Sequence, residues 1–280
     1  MELYGLDIGG SKIAGVMFDG SRIVTEVWRE HSGSRASREE LLKAVLAVLE
    51  ELRGAGADAT RAVGIGVPGP VDANQTKVLV APHLAALSGF ELPRFIAEST
   101  GLKVVMDNDV RAAALGEAKY GTAGPSFLMV ALGSGIGGAI VTDGRVWRGS
   151  HGSAGEVGQM ILRENKTFEM LAAGQFVAAT PFQTIRVFID AVEAGDPKAE
   201  EVMRQMAGAL GEGLANLVNV LDPAVVVLAG GLTKLWPQME SYCRPVLSQL
   251  VLSPAARELP IRLAAFGKYA GAVGAAALTA

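Results

Sequence analysis

The chain has 280 residues, 50% hydrophobic and 19% charged, with 35 glycines, which suits one large domain or two medium ones and excludes a disordered polymer. Its net charge of -4, with no Lys/Arg cluster, leaves no footprint for nucleic acid or an anionic membrane. A single cysteine, Cys243, excludes an internal disulfide and fits a reducing cytoplasm, the expected location.

The opening "MELYGLDIGG" has neither the basic region nor the apolar stretch of a signal peptide. "LYGLDIGG" reads as a short strand, "SKIAGVMF" as a second, and "SRIVTEVWRE" as a third after the Asp19–Gly20 turn. A helix follows over "SREELLKAVLAVLEELRGAG", with Ser37 as N-cap, Glu40 three residues later and Gly54 as a stop. "AVGIGVPGPVD" is a strand running into a Gly/Pro loop, and "LPRFIAESTG" is a helix. "KVVMDND" is a strand and "VRAAALGEAKYG" a helix.

The pattern then restarts. "FLMVALGSGIGGAIVTDGRVW" reads strand, glycine turn, strand, Asp–Gly turn, strand, as "LYGLDIGGSKIAGVMFDGSRIV" does. In this weak repeat Gly9–Gly10 matches Gly137–Gly138, and Asp19–Gly20 matches Asp143–Gly144. Helices are expected around 168–179, 181–194 and 198–220, then the buried strand "PAVVVLAGG" and a small-residue terminal helix "AGAVGAAALTA". The apolar runs near 125–141 and 224–232 are broken by Gly, Pro and turns, so neither is a membrane span. Two related α/β domains sharing a cleft are the natural architecture. The expected division is residues 1–116, with a terminal helix over 268–280 returning to them, and residues 117–267.

"GSGIGG" has the letters of a dinucleotide fingerprint, but that motif needs a helix straight after the turn, and β-branched "AIVTDGRVW" follows. "GGSK" lacks Walker spacing. What remains is a phosphate-holding β-hairpin in each half, whose glycines let backbone N–H groups approach phosphate oxygens. Asp7, at the end of the first strand, suits holding Mg²⁺ through water, and Lys12 is placed to lie near the phosphates. Asp7 as a turn cap and Lys12 as a solvated charge are the plainer readings. For "VVMDNDVRAAA" two readings stand: a helix cap, or carboxylates at a strand end where open α/β sheets bind ligands.

Five motifs in order, "LDIGGSK", "GIGVPGPVD", "DNDVRAAALGE", "GSGIGGAIVTDGRVWRGSHGSAGEVGQ" and "VVVLAGG", resemble the ROK family of sugar kinases and repressors over almost the whole chain. That family belongs with hexokinase, Hsp70 and actin. The resemblance implies an α/β fold of two related domains of the actin-like ATPase, or ribonuclease H-like, type with a central cleft. It implies an ATP- and Mg²⁺-dependent kinase that phosphorylates a hexose. Gly9, Gly10, Ser11 and Lys12 look like the first phosphate loop, with Gly133, Ser134, Gly135, Gly137 and Gly138 as the second. Gly230 and Gly231 look like the adenosine-binding turn. Asp109 matches the catalytic base, Asn108, Glu156 and Glu169 match sugar ligands, and Asp107 reads as structural.

The family usually carries His where this chain has Gln159, and often a Cys-rich zinc loop before the residue matched by Glu169. Here "ILRENKTFE" is short and has no Cys, and His31, His83 and His151 are scattered, so no zinc is expected. Ser134 replaces the commoner Thr, and Ala229 stands where many members have Gly. The departures touch sugar identity more than phosphoryl transfer: glucose or mannose leads, with N-acetylmannosamine or another C2-modified sugar open through Gln159. A sugar-responsive repressor would need a DNA-binding module before "LYGLDIGG", and a dead scaffold would be expected to lack Asp109, Asp7 or the glycines. Family members are commonly homodimers.

Overall fold

The computed structural model describes residues 2–55, 61–81 and 84–280; His83 lies outside them. Among the described residues the order is β1 (Leu3–Ile8), β2 (Lys12–Phe18), β3 (Ile23–Glu30), α1 (Arg38–Ala55), β4 (Ala62–Val67), α2 (Leu92–Thr100), β5 (Lys103–Asn108) and α3 (Asp109–Tyr120). Next come β6 (Phe127–Leu132), β7 (Ile136–Thr142), β8 (Arg145–Trp147), β9 (Ile161–Arg163), β10 (Lys166–Thr167), α4 (Phe168–Ala172), α5 (Gly174–Ala178), α6 (Ile185–Glu193) and α7 (Pro197–Leu221). The chain ends with β11 (Val226–Ala229), α8 (Trp236–Leu250), β12 (Ile261–Leu263) and α9 (Ala270–Ala277). Two compact units result: Met1–Pro125 with Ile140–Ala154 and Ala265–Ala280, and Ser126–Ala139 with Gly155–Ala264.

The two five-stranded sheets share one plan. The first has the order β3-β2-β1-β4-β5 and the second β8-β7-β6-β11-β12, so each is a three-strand run extended by two more strands. β1 is antiparallel to β2 and parallel to β4, and β4 is parallel to β5. In the second sheet β6 and β11, and β11 and β12, are parallel. The repeated strand pattern in the sequence therefore reports a repeated topology, although its register is off. β7 begins at Ile136, so Gly137 and Gly138 are strand residues, and the turn answering Gly9–Gly10–Ser11 is Gly133–Ser134–Gly135.

Strand alternation explains what the first sheet offers on each face. Leu6 and Ile8 of β1, with Val63, Ile65 and Val67 of β4, join a buried core with Leu41, Val45, Val48, Leu49 and Leu52 of α1. Those α1 positions follow helical spacing, and each buried side chain of this kind is worth about 1.5–3 kcal/mol. Ser37 Oγ accepts from the Glu40 amide at 3.1 Å, as a cap should, but the Glu40 carboxylate turns to the amide and hydroxyl of Ser32 instead of closing a capping box.

The other face of β1 and β4 carries Gly5, Asp7, Gly64 and Gly66. Here α9 lies on the sheet at a distance only glycine allows: a Cβ on Gly5 would sit 2.0 Å from Ala272 O, and one on Gly64 1.7 Å from Ala275 O. α3 closes on the same helix, where a Cβ on Gly116 would meet Gly274 Cα at 2.7 Å. The small residues of "AGAVGAAA" are thus an adaptation to backbone contact, and Asp7 is left at the carboxyl end of β1 on that face.

In the second unit α7 starts with Asp196 accepting from the amides of Lys198 and Ala199, followed by Pro197. α8 runs through Pro245. No helix of the described residues is long and apolar enough to cross a membrane.

Candidate active site

In the first unit the site is built where β1, β4 and β5 end. Asp7, Gly66 and Asp107 lie in adjacent register across the three strands. β5 ends at Asn108 and α3 begins at Asp109, so the sharp strand-to-helix junction presents both residues at the sheet edge. Asn108 is the cap: its Oδ1 accepts from the amides of Val110 and Arg111, each at 3.1 Å. Its Nδ2 donates to Gly69 O at 3.2 Å and to Asp109 Oδ1 at 2.9 Å. The Val110 amide also donates to Asp109 Oδ1, at 2.9 Å. Capping and orienting the half-buried Asp109 carboxylate are therefore done by the same side chain. The "GVPGP" loop contributes Gly69 O, and Gly69 (φ 84°) must be glycine because a Cβ would lie 2.0 Å from Val80 O.

Gly66 lies against both aspartates. A Cβ there would lie 3.3 Å from Asp109 Cα and 3.7 Å from Asp7 Oδ1. The other Asp7 oxygen lies against Gly271, at 2.3 Å from where its Cβ would be. This enclosure by backbone pushes the Asp7 pKa up to about 6 from its ordinary 3.8, with the Lys12 ammonium pulling the other way. A half-buried carboxylate at the end of β1 fits Mg²⁺, which keeps several waters and takes one or two carboxylates plus substrate phosphates. No group of three or more His, Cys, Asp or Glu among the described residues could hold a metal without such help.

Asp107 does structural work. Its buried carboxylate accepts from the Asn108 amide at 2.8 Å, Arg111 Nε at 2.9 Å, and Arg148 Nε and Nη2 at 3.1 and 2.6 Å. Arg111 Nη1 also donates to Gly152 O at 2.6 Å. The segment Arg148–Gly152 is thereby tied to the end of β5. The four-residue spacing of Asp107 and Arg111 was the available signal for the first pair; nothing local announces Arg148.

Of the first glycine turn, Gly9 N donates to Lys12 O at 2.9 Å, and Gly10 and Ser11 form the exposed tip. Lys12 points elsewhere than to an open turn: its Nζ lies 4.6 Å over the Trp28 ring, a cation–π contact.

In the second unit Glu169 organises the glycine turn. Its Oε2 accepts from the Ile136 amide at 3.2 Å and occupies the space where a Gly135 Cβ would be, at 2.4 Å. Its Oε1 accepts from Gln159 Nε2 at 2.9 Å and from Gln175 Nε2 at 2.8 Å. The structure thus brings Gln159, Glu169 and the Gly133–Gly135 turn together and adds Gln175. Gln175 is reachable only because α4 and α5 break at Ala173, which sequence periodicity reads as one helix. Glu156 is exposed and heads the helical turn Val157–Gln159 that carries Gln159. Gly138, read as a phosphate contact, is glycine for packing reasons: a Cβ would sit 2.8 Å from Val157 Cγ2 and 2.9 Å from Gly155 O. Gly230 (φ 93°) cannot carry a side chain, with Leu132 O 2.3 Å from its Cβ position, and Gly231 opens a helical turn.

The family model of the ROK family matches residues 3–280. The chain belongs to the ROK family. A ROK family glucokinase from Streptomyces griseus, solved with glucose and AMPPNP, superposes with a TM-score of 0.86 at 27% identity, covering 99% of each chain. A ROK hexokinase from Thermus thermophilus is 33% identical, with a TM-score of 0.77 over 99% of this chain and 97% of that one. A beta-glucoside kinase of Klebsiella pneumoniae is 27% identical over 253 residues, 84% of this chain and 83% of that protein. With these ROK relatives, the two repeated sheets are those of the actin-like ATPase fold.

Proposed function

We propose that this ROK-family sugar kinase transfers the γ-phosphate of ATP to the 6-hydroxyl of a hexose such as glucose or mannose. The observation that carries the reading is the pair of aspartates flanking Gly66: Asp109, held by Asn108 at the start of α3, and Asp7, at the end of β1. The relative solved with glucose and AMPPNP supports a hexose acceptor and ATP as donor.

A sugar hydroxyl must lose its proton as it attacks phosphorus. Asp109 accepts that proton late, because the transition state is loose, and its main task is to aim the hydroxyl. Asn108 fixes the carboxylate, and it meets an adjacent hydroxyl by exchanging the Nδ2 bond it makes to Gly69 O. Gly10 and Ser11, and the Gly133–Gly135 turn, offer backbone N–H groups to phosphate oxygens. Gly230 and Gly231 form the turn for adenosine. Asp7 holds Mg²⁺ through water, and the metal, when bound, neutralises charge on the β- and γ-phosphates.

Glu156, an acceptor only, takes a sugar hydroxyl donor. Glu169 holds Gln159 in place, since its carboxylate oxygens already receive the Gln159 and Gln175 amides and the Ile136 N–H. That geometry favours one second reading of the substrate. With its NH₂ turned to the Glu169 carboxylate through one N–H, Gln159 has its carbonyl oxygen to present, and a carbonyl suits the N–H of a 2-acylamino group or a 2-hydroxyl. An N-acyl hexosamine such as N-acetylmannosamine is the alternative acceptor.

Asp109→Asn tests the reading. Turnover should fall on the order of a hundredfold or more, the scale of removing a positioned acid–base group, with ATP affinity little changed. Near-normal turnover would leave Asp109 a helix residue and move the role elsewhere.

A further inference from the structure

The first glycine turn has a brace that no motif announced. His31, the residue after β3, reaches back to it with both ring nitrogens engaged. Its Nε2 lies 3.0 Å from Gly9 O, and its Nδ1 accepts from the Gly33 amide at 3.2 Å. A carbonyl oxygen can only accept and an amide N–H can only donate. The two contacts together assign the neutral tautomer with the proton on Nε2. The same residue's own amide donates to Ser11 O at 3.0 Å. Gly33 (φ 64°) presses on the middle of the turn, where a Cβ would lie 3.2 Å from Gly10 O. The segment is anchored in turn by Ser32, whose amide and hydroxyl donate to Glu40 of α1 at 3.0 and 2.6 Å.

The consequence concerns the polarity of the turn. A two-residue hairpin tip ordinarily closes with reciprocal backbone bonds across its ends. Here Gly9 N donates to Lys12 O, but Gly9 O is taken by the imidazole. The 31–33 segment therefore covers the carbonyl oxygens of Gly9, Gly10 and Ser11, all on one side. Among the described residues no hydrogen bond uses the amides of Gly10 and Ser11. Carbonyls held back and amides left forward make a backbone anion cradle, and a carbonyl swinging to the front would repel phosphate oxygen.

We infer that His31 is a positioning residue for the nucleoside triphosphate: by holding the Gly9 carbonyl away, it keeps the Gly10 and Ser11 amides presented to the phosphates. This rests on the reading of that turn as phosphate-holding. His31 touches no reacting atom, so its effect belongs to nucleotide affinity and leaves sugar affinity and chemistry alone. Each ring nitrogen can be imitated separately. Gln can return a donor to Gly9 O, whereas the shorter Asn can return an acceptor to Gly33 N–H.

The test measures AMPPNP binding calorimetrically with Mg²⁺ for the wild type and for His31→Ala, His31→Gln and His31→Asn, alongside kcat, KM for MgATP and KM for the sugar. His31→Ala should weaken AMPPNP binding and raise the MgATP KM about tenfold, the scale of one well-placed hydrogen bond, with kcat and sugar KM within about twofold. His31→Gln should recover most of the loss and His31→Asn less. Unchanged nucleotide affinity in all three variants, or equal losses in nucleotide and sugar affinity, would overturn the inference. If His31→Ala does not fold, the Gln and Asn pair decides by the same criterion. Should the wild type bind AMPPNP in a His31-dependent manner yet phosphorylate no sugar, the kinase reading fails and the role of His31 stands.

Discussion

Asp7 is placed by strand alternation, and its environment follows from two glycines. Gly66 and Gly271 let backbone close on the carboxylate, and the resulting loss of water favours the protonated acid. Because its folded pKa of about 6 exceeds its ordinary 3.8, the folded chain binds this proton more tightly than the unfolded chain. The contribution of Asp7 to stability is therefore best below pH 4, falls as pH rises from about 4 to 6, and stays low above that. Asp7→Asn should raise Tm relative to wild type at pH 7.5 and make little difference at pH 4, while cutting Mg²⁺-dependent turnover severely. Melting curves at the two pH values check this. A variant less stable than wild type at pH 7.5 would show that the carboxylate is satisfied by protein donors and is not held for a cation. The location of Asp7 at a strand end was legible in the sequence. Its enclosure was not, since Gly271 is 264 positions away in the chain.

At the scale of elements, α7 separates two uses of glycine within one helix. Gly208 has nothing near its Cβ position, so it carries only the entropic cost of glycine in a helix. Gly213 faces the buried Phe168 ring, with atoms 2.4 Å from where a Cβ would stand. Gly208→Ala should stabilise the protein by about 0.5–1 kcal/mol. Gly213→Ala should destabilise it by about 1–3 kcal/mol through overpacking. Denaturant midpoints for the two variants measure both, and equal shifts of one sign would mean that packing does not distinguish them.

The same contrast explains what the sequence disclosed about elements. α1, the β2–β3 hairpin and the start of α3 follow from local signals such as Ser37, Asp19–Gly20 and "DND". The break between α4 and α5 and the course of α8 through Pro245 depend on tertiary neighbours. The glycine repeat is visible in the letters, but letters carry no register: they align Gly137 and Gly138 with a turn, whereas β7 has already begun at Ile136.

Across the whole molecule, two sheets of one topology, a family match from residue 3 to 280 and a ROK glucokinase at a TM-score of 0.86 agree with the five motifs read in order. The motifs disclosed the fold because glycines and strand-end carboxylates are constrained by backbone geometry. They disclosed the proposed sugar side poorly, because side-chain pairs such as Gln159 with Glu169 are brought together only by the folded chain.

The central claim, phosphoryl transfer from ATP to a hexose, is tested most directly by following ADP release over a panel of hexoses and N-acyl hexosamines with Mg²⁺ and reading the product by phosphorus NMR. The account predicts ADP release that depends on one or a few of these sugars, stoichiometric with a phosphomonoester whose signal is split by a CH₂ group, the mark of a phosphorylated 6-hydroxyl. ADP release that no sugar in the panel stimulates, or none at all, would contradict it.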